Sequence, residues 1–159
     1  MPYIKQIVIF ILDFNERFRQ NMEIEFSHVT KLRVRYGETD QMGYCYYGNY
    51  AQYLEVGRVE ALRDLGMSYK EMEANGVMLP VSEFQVKYLF PAKYDDELFI
   101  KSKIVGINGS RIYFEHEITN ADGRLISTSK ITLAFVSKET MRPILPPTLF
   151  LTLLTKHEK

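Results

Sequence analysis

Apolar and polar positions alternate near the start of the chain, between His28 and Tyr36. The side chains expected on one face are His28, Thr30, Leu32, Val34 and Tyr36. The positions between them carry the basic residues Lys31, Arg33 and Arg35. A period of two residues predicts a strand with one buried face. The segment Gly37–Gly43 that follows is polar, begins and ends with glycine, and is predicted to be a loop.

The period changes to that of a helix between Asn49 and Leu65. Spacings of three and four residues define one apolar face, which consists of Tyr50, Leu54, Gly57, Ala61 and Leu65 and is widened by Tyr53 and Val56. The charged residues predicted on the remaining surface are Glu55, Arg58, Glu60, Arg63 and Asp64. Asn49 is the predicted N-cap and Gly66 the predicted stop. Because Gly57 costs about 1 kcal/mol relative to Ala in a helix, we expect another backbone to pack closely against it.

The rest of the chain predicts mostly strands. Ser68 and Glu71 form a capping box that predicts a short second helix ending at Asn75-Gly76. Four strands in a meander then follow, separated by turns near residues 91–97, 108–109 and 120–123. A short amphipathic segment begins at Thr148. One early helix followed by consecutive strands predicts an α+β architecture, with a curved antiparallel sheet packed around the long helix.

Residues 1–21 do not share these patterns. Ile7–Leu12 is an apolar run of six residues, whereas a membrane-spanning helix needs about 20, and no cleavage site of a signal peptide follows it. Met22 precedes the first clearly patterned segment. We therefore expect residues 1–21 to be an appendage, translated from an upstream start, and residues 22–159 to form one domain that folds without it. An extra strand or helix docked on the domain is the alternative.

The composition is that of a single globular domain without a bulk charge. The chain has 159 residues, with 20 Lys and Arg against 20 Asp and Glu, which argues against a nucleic-acid partner and against a basic membrane-binding patch. Cys45 is the only cysteine, so an intrachain disulfide or a cysteine-based zinc site is excluded and a cytoplasmic location is favoured. The three histidines lack metal-binding spacing, and we expect no metal site.

Tyrosines and one carboxylate are concentrated at the start of the predicted long helix. Five of the 11 tyrosines lie between Tyr44 and Tyr53, and we expect most of them to pack in the core or in an interface. Asp40 precedes the same helix start. A helix N-terminus offers unpaired N–H groups and the positive end of the helix dipole, which suit an oxyanion or a thioester oxygen. A carboxylate beside such a site is a minimal hydrolytic arrangement.

Two motifs extend this interpretation. The first combines Asp40, Gly43, the pair Tyr46-Tyr47 and the helix opening Asn49-Tyr50. The second is the turn Pro91-Ala92-Lys93-Tyr94-Asp95-Asp96. Together with the order of the elements, they resemble the 4-hydroxybenzoyl-CoA thioesterase group of hotdog-fold acyl-CoA thioesterases, over about Glu23 to Pro147. The resemblance implies a hotdog fold, in which a curved antiparallel sheet wraps around a long central helix.

The resemblance also implies roles for individual residues. Asp40 would be the catalytic carboxylate, either attacking the thioester carbonyl or activating water, and the backbone N–H of Tyr47 would polarise the thioester oxygen. Some relatives have His at the position of Tyr47, so a mechanism that needs this His is not available here. Glu55 and Glu60 on the helix are less favoured alternatives to Asp40. The residues expected to contact substrate are Gly48, Asn49, Tyr50, Glu55, Lys87 and Arg111, with Lys93 as a further cation for the CoA phosphates.

The implied substrate is an acyl thioester of CoA or of an acyl carrier protein, cleaved to a carboxylic acid without a cofactor. Active sites at subunit interfaces are implied, in a homotetramer built from dimers. A hotdog dehydratase or hydratase is the alternative enzyme, although such chemistry usually needs an Asp-His pair and no His is near Asp40 in the sequence. A non-catalytic acyl-thioester-binding oligomer is the alternative outside the enzymes.

Overall fold

The computed structural model describes residues 22–157, so the predicted appendage of residues 1–21 lies outside the described residues. Its strands are β1 (Met22–Arg33), β2 (Val77–Met78), β3 (Val81–Tyr88), β4 (Glu97–Asn108), β5 (Arg111–Asn120), β6 (Leu125–Ala134) and β7 (Val136–Ser137). Its helices are α1 (Asn49–Leu65), α2 (Tyr69–Ala74) and α3 (Thr148–Lys156), with a 3-10 turn at Tyr36–Glu38. Five strands form an antiparallel sheet in the order β1-β4-β5-β6-β3, and β2 pairs with β7. The predicted α+β class is confirmed.

The long helix α1 packs on β1 and β4 through the face that its spacing predicts. A Cβ atom at Gly57 would lie 2.6 Å from Ile100 Cγ2 and 2.7 Å from Ser102 Oγ, both on β4. Close packing at this glycine is therefore present, but side chains of β4 make the contact, whereas another backbone had been expected. The helix ends at Leu65 and is capped by Gly66, whose φ of 103° lies in the left-handed region, as is usual for a glycine at this position.

Three details predicted for α1 are wrong. Val56 was expected in the buried face but is 44% exposed. Arg58 was expected on the surface but is buried, and its Nε–H donates a 3.0 Å hydrogen bond to the hydroxyl of Tyr69 on the neighbouring helix α2. The N-cap is Gly48 instead of Asn49, whose side-chain amide donates to the carbonyl of Glu38 at 2.7 Å.

The bounds and the pairing of the strands also differ from the prediction. β1 runs from Met22 to Arg33, and Tyr36 therefore lies in the 3-10 turn and is 78% exposed. Only β4, β5 and β6 form a meander, because β3 pairs with β6 at the far edge of the sheet. The last strand, predicted from Leu125 to Val136, is interrupted at Phe135, a buried residue that lies between β6 and β7 in the sequence.

Apart from the N-cap of α1, the predicted turns and caps are confirmed. Ser68 and Glu71 form the reciprocal capping box of α2, and the hairpin at Asn108-Gly109 joins β4 to β5, with Gly109 at a φ of 58°. The C-terminal segment is the amphipathic helix α3, which buries Phe150, Leu151 and Leu154. Within residues 22–157, no helix combines the length and apolar character needed to cross a bilayer.

A row of polar side chains crosses the buried face of the sheet. His28, Ser102, His116 and Ser129 are successive partners across β1, β4, β5 and β6. The ring Nδ1 of His116 lies 2.9 Å from Ser102 Oγ. Burial and the positive charge of Arg58 lower the pKa of His116 to about 3, so the ring is neutral at physiological pH. His116 is thus a core residue, as its place on an apolar strand face predicts.

Candidate active site

Asp40 lies in a tight loop between the 3-10 turn and α1. The loop is closed by a bridge between Thr39 and Cys45 and by a 3.0 Å hydrogen bond from the Asp40 N–H to the carbonyl of Tyr44. Its carboxylate oxygen Oδ1 accepts a 2.9 Å hydrogen bond from the N–H of Met42. No donor within residues 22–157 contacts the other oxygen, Oδ2. One oxygen therefore orients the carboxylate, and the second is available to a water molecule or a substrate.

The start of α1 offers unpaired N–H groups. In the part of the chain that the structure describes, neither Tyr47 nor Gly48 donates its backbone N–H to a protein acceptor. The next two N–H groups are already paired. The N–H of Asn49 donates to the carbonyl of Tyr46 at 3.0 Å, and the N–H of Tyr50 donates to the carbonyl of Tyr47 at 3.3 Å. Two free donors at the positive end of a helix dipole can stabilise a developing oxyanion.

Asp40 and Tyr47 line the same cavity, which has a volume of about 370 Å³. The other residues in its wall are Met42, Tyr44, Cys45, Tyr50, Tyr88, Leu89, Phe90 and Pro91. Among these described residues, Asp40 is the only one with a charged side chain. An apolar pocket with a few polar groups is typical of small-molecule sites, and this one suits an acyl group whose reacting carbonyl lies near Asp40.

Aromatic contacts connect the wall of the cavity to the helix. The Tyr88 hydroxyl donates a 3.1 Å hydrogen bond to the carbonyl of Tyr47. The ring of Tyr88 also meets that of Tyr50 edge-on, with centroids 5.0 Å apart. Burial is the main cause that raises the pKa of Tyr50 to about 12, so this phenol is neutral. Cys45 is a free, buried cysteine, and burial raises the pKa of its thiol.

Of the other residues predicted to contact substrate at the start of α1, only Tyr50 lines the cavity. Gly48 and Tyr50 lie beside Tyr47, and Tyr50 is buried against the cavity. A Cβ atom at Gly48 would lie 2.6 Å from the ring of Tyr46, so a larger residue at this position would have to displace that ring, which is 45% exposed. The amide of Asn49 is occupied by the carbonyl of Glu38. Glu55 is exposed on the second turn of α1 and does not line the cavity.

The predicted cations lie at different ends of the sheet. Lys87 immediately precedes Tyr88 at the cavity end of β3 and is paired with Thr128 of β6. Arg111 begins β5 and is paired with Ala134, six residues further along β6, which corresponds to about 20 Å at about 3.3 Å per residue. One chain therefore does not bring Arg111 to the site of Asp40. Lys93 lies in the turn after Pro91 and donates its backbone N–H to Asp96.

Sequence reasoning missed the apolar wall that the end of β3 contributes. Tyr88, Leu89 and Phe90 are 47%, 40% and 49% exposed, although all three are large and apolar or aromatic. The available signal is the break in alternation at Leu89, because three consecutive large apolar residues are more than a half-buried strand requires. Sequence reasoning also missed the contacts of Glu38 and Tyr53, which lie beneath the Asp40 loop.

The fold and this site define a thioesterase of the hotdog class. A family model of the thioesterase-like superfamily matches residues 34–152, and the chain belongs to that family. The resemblance derived from the Asp40 loop and the Pro91–Asp96 turn is thereby confirmed, and so is the hotdog fold.

Individual relatives agree with this assignment. The chain is 37% identical over 119 residues to "Putative acyl-CoA thioesterase YneP" of Bacillus subtilis, which covers 74% of this chain and 86% of that protein. It is 34% identical to the DHNA-CoA thioesterase structure from Staphylococcus aureus, with a TM-score of 0.72 over 75% of this chain and 80% of that one. A variant of 4-hydroxybenzoyl CoA thioesterase complexed with 4-hydroxybenzoyl CoA has a TM-score of 0.74 over 81% of this chain and 99% of that one; at 20% identity it shows the fold alone.

Proposed function

We propose that the protein is an acyl-CoA thioesterase, which uses water to convert an acyl thioester into a carboxylic acid and free CoA. The observation that carries the proposal is that the Asp40 carboxylate and the unpaired N–H group of Tyr47 belong to residues lining one apolar cavity. The similar protein from Bacillus subtilis, named for acyl-CoA, supports the choice of CoA as the thiol.

In the proposed reaction, the thioester oxygen accepts hydrogen bonds from the N–H groups of Tyr47 and Gly48. Asp40 then either attacks the carbonyl carbon, to form an anhydride that water hydrolyses, or removes a proton from an attacking water molecule. Both routes develop negative charge on the same oxygen, where the helix start stabilises it. The C–S bond breaks, and CoA leaves as a thiolate that takes a proton from solvent. No step in this scheme needs a cofactor.

The test is release of free thiol from a panel of acyl-CoA substrates. Asp40→Asn removes the nucleophile or base and keeps the size of the side chain, so we expect thiol release to fall by a factor of about 100 or more while the variant stays folded. Asp122→Asn is the matched control, since Asp122 is exposed in the turn between β5 and β6. Undiminished release by Asp40→Asn would refute the role of Asp40, and no release by the wild-type protein would favour a binding function.

The same panel distinguishes the remaining substrate and reaction alternatives. Faster cleavage of acyl carrier protein thioesters than of acyl-CoA would identify the acyl carrier protein, and not CoA, as the thiol component of the substrate. A dehydratase or hydratase would instead consume an enoyl or hydroxyacyl thioester without releasing thiol. No histidine is among the described residues that line the cavity, which counts against this second chemistry. We place the enzyme in the cytoplasm, a proposal supported by Cys45 being a free thiol.

We further propose that two copies pair through β3 and that two such dimers form a tetramer. β3 is an edge strand of the five-stranded sheet, and its apolar residues Val81 and Phe84 are 48% and 44% exposed. An exposed apolar edge strand is a template for pairing with another strand. A two-fold axis would make the paired β3 strands antiparallel, which would bring the Arg111 end of the second copy's sheet toward the cavity of the first.

Sedimentation velocity tests this assembly. Phe84→Lys places a charge in the middle of the edge strand, and we expect it to convert the oligomer to monomers. Leu149→Lys is the control, because Leu149 is 60% exposed on α3. A monomeric wild-type protein, or a Phe84→Lys variant of unchanged size, would contradict pairing through β3.

A further inference from the structure

We propose that Glu38 is a positioning residue for Asp40 and that the hydroxyl of Tyr53 holds it in place. The carboxylate of Glu38 would fasten the Asp40 loop to α1 and so fix Asp40 relative to the N–H group of Tyr47. The inference rests on the proposed thioesterase function of this site. It adds Glu38 and Tyr53 to the residues that determine the rate, and neither belongs to the motif that identifies the family resemblance.

The side chain of Glu38 is held from two directions. Its Oε2 accepts a 2.5 Å hydrogen bond from the hydroxyl of Tyr53, on the second turn of α1, and a 2.8 Å hydrogen bond from the N–H of Arg35. Only 13% of the side chain is exposed. Hydrogen bonds to a carboxylate are about twice as strong as those between neutral groups, so this carboxylate joins the end of β1, through Arg35, to the helix.

The backbone of Glu38 is held by the same part of the chain. Its carbonyl accepts a 2.7 Å hydrogen bond from the side-chain amide of Asn49 and a 2.9 Å hydrogen bond from the N–H of Tyr46. Asp40 follows only two residues later. Both the side chain and the carbonyl of Glu38 are bound to α1 or to the residues just before it. Glu38, from which the Asp40 loop begins, therefore cannot move independently of the helix start.

The buried contacts define the direction of the hydrogen bonds. The Sγ of Cys45 lies 3.5 Å from the hydroxyl oxygen of Tyr53. Burial is the main cause that raises the pKa of both the Cys45 thiol and the Tyr53 phenol, so both groups keep their protons at physiological pH. The phenol donates to Glu38, and the single thiol proton has two acceptors, the phenol oxygen and the carbonyl of Tyr46 at 3.6 Å. A carboxylate is the natural end of this chain because, when ionised, it only accepts hydrogen bonds.

These contacts indicate positioning and not direct catalysis. Asp40 lines the cavity, whereas neither Glu38 nor Tyr53 is among the described residues in its wall. The Glu38 carboxylate is occupied by the Tyr53 hydroxyl and the Arg35 N–H. Asp40, in contrast, keeps one carboxylate oxygen without a donor among the described residues. A shift of the loop by about 1 Å would misplace the reacting carboxylate, and a misplacement of that size can lower a rate by a factor of about 100.

Tyr53→Phe tests the inference, because it removes one hydroxyl and keeps the buried ring. With the acyl-CoA that the wild-type protein cleaves best, we expect kcat to fall by a factor of about 10 to 100 and KM to change little. The matched control is Tyr36→Phe. It removes a hydroxyl from the 3-10 turn that contains Glu38, but from a side chain that is 78% exposed. All variants are measured well below their unfolding temperatures, so that loss of folded protein does not contribute.

Substitution of Glu38 separates hydrogen-bond acceptance from charge and from general destabilisation. Glu38→Gln keeps an oxygen that accepts from Tyr53 and Arg35, and we expect it to retain most of kcat. Glu38→Ala also removes the acceptor of the Arg35 N–H, so it should lose at least as much as Tyr53→Phe does. The double variant Glu38→Ala, Tyr53→Phe should lose little more than Glu38→Ala alone, since the Tyr53 hydroxyl acts through Glu38. Glu38→Gln with a kcat as low as that of Glu38→Ala would overturn the role of hydrogen-bond acceptance.

A readout without substrate keeps this inference separate from the proposed function. The N–H groups of Asp40 and Gly43 donate hydrogen bonds inside the loop, and we expect both to exchange with deuterium faster in Tyr53→Phe than in the wild-type protein or in Tyr36→Phe. Unchanged exchange together with unchanged kcat would overturn the inference. If the wild-type protein cleaves no thioester while the exchange accelerates as expected, the proposed function fails and the anchoring of the loop stands.

Discussion

The hydroxyl of Tyr88 and the backbone carbonyl of Tyr47 form a 3.1 Å hydrogen bond between residues that are 41 positions apart in the sequence. Tyr88 is the last residue of the edge strand β3, and Tyr47 immediately precedes the N-cap of α1. The contact therefore fixes the end of the sheet to the helix start that offers the free N–H groups. It also orients the Tyr88 ring against Tyr50 in the wall of the cavity.

Removal of this hydrogen bond should lower activity moderately. In Tyr88→Phe the ring still packs against Tyr50, but the carbonyl of Tyr47 loses a donor, for which a typical value is about 1 kcal/mol. We expect kcat/KM for an acyl-CoA substrate to fall about fivefold. Tyr94→Phe is the control, because the Tyr94 side chain is 57% exposed and packs on Tyr36. An equal loss in both variants would show that the bond to Tyr47 is not responsible.

The contact between Gly57 and β4 predicts a loss of stability on adding one methyl group. Gly57→Ala places a Cβ atom against Ile100 and Ser102, and overpacking of this kind costs about 1–3 kcal/mol. The gain in helix propensity, about 1 kcal/mol, offsets only part of that cost. We expect a lower Tm by calorimetry for Gly57→Ala and little change for Gly37→Ala, where nothing lies within 4 Å. A higher Tm for Gly57→Ala would mean that α1 can move away from β4 to accommodate the methyl group with no loss of stability.

The long helix could be predicted well because its periodicity, its glycine stop and its buried glycine all arise from local sequence. The course of β3 could not, because alternation predicts that a strand has a buried face but not which neighbour it pairs with. The burial of Arg58 was missed for a similar reason. Its partner Tyr69 belongs to the next helix, and helical spacing alone cannot indicate that a charged residue is covered by another element.

Part of the site could likewise be predicted from local sequence, whereas the rest depends on tertiary contacts. Asp40 and Tyr47 could be located because they lie in one continuous motif before a helix. The other wall of the cavity comes from Tyr88 to Pro91, which follow α1 and α2 in the sequence and reach the site only through the tertiary fold. Glu38 was missed because its partner Tyr53 has the spacing of an ordinary core residue of α1. Only the folded chain shows that its hydroxyl is directed toward a carboxylate.

Docking of α3 on the domain should depend on one buried ring. Phe150 is completely buried and meets Phe135 edge-on, with ring centroids 5.3 Å apart. Phe150→Ala should lower the free energy of unfolding by about 3–5 kcal/mol, as in other large-to-small core substitutions. Its neighbour Leu149 is 60% exposed, so Leu149→Ala should change it by about 0.5 kcal/mol or less. Urea unfolding at one protein concentration measures both, and comparable losses would contradict the packing described for α3.

The buried histidine predicts how stability changes with pH. The folded-state pKa of His116, lowered to about 3 by burial and by the charge of Arg58, is below the value of about 6.5 expected in the unfolded chain. Between these two values the unfolded chain binds a proton that the folded chain does not. Stability is therefore unaffected above pH 6.5 and is lost as the pH falls below it, by about 1.4 kcal/mol per pH unit.

A variant without a titrating side chain isolates this contribution. His116→Leu removes the ring and leaves Ser102 without its partner, so its stability at pH 7 is also expected to change. The informative quantity is the change between pH 7 and pH 5, because every other group titrates in both proteins. We expect the free energy of unfolding of the wild-type protein to fall by about 2 kcal/mol more than that of His116→Leu over this range. Urea unfolding at matched protein concentrations measures the difference. Equal losses in the two proteins would show that His116 accepts a proton in the folded state as readily as in the unfolded chain, in conflict with its burial beside Arg58.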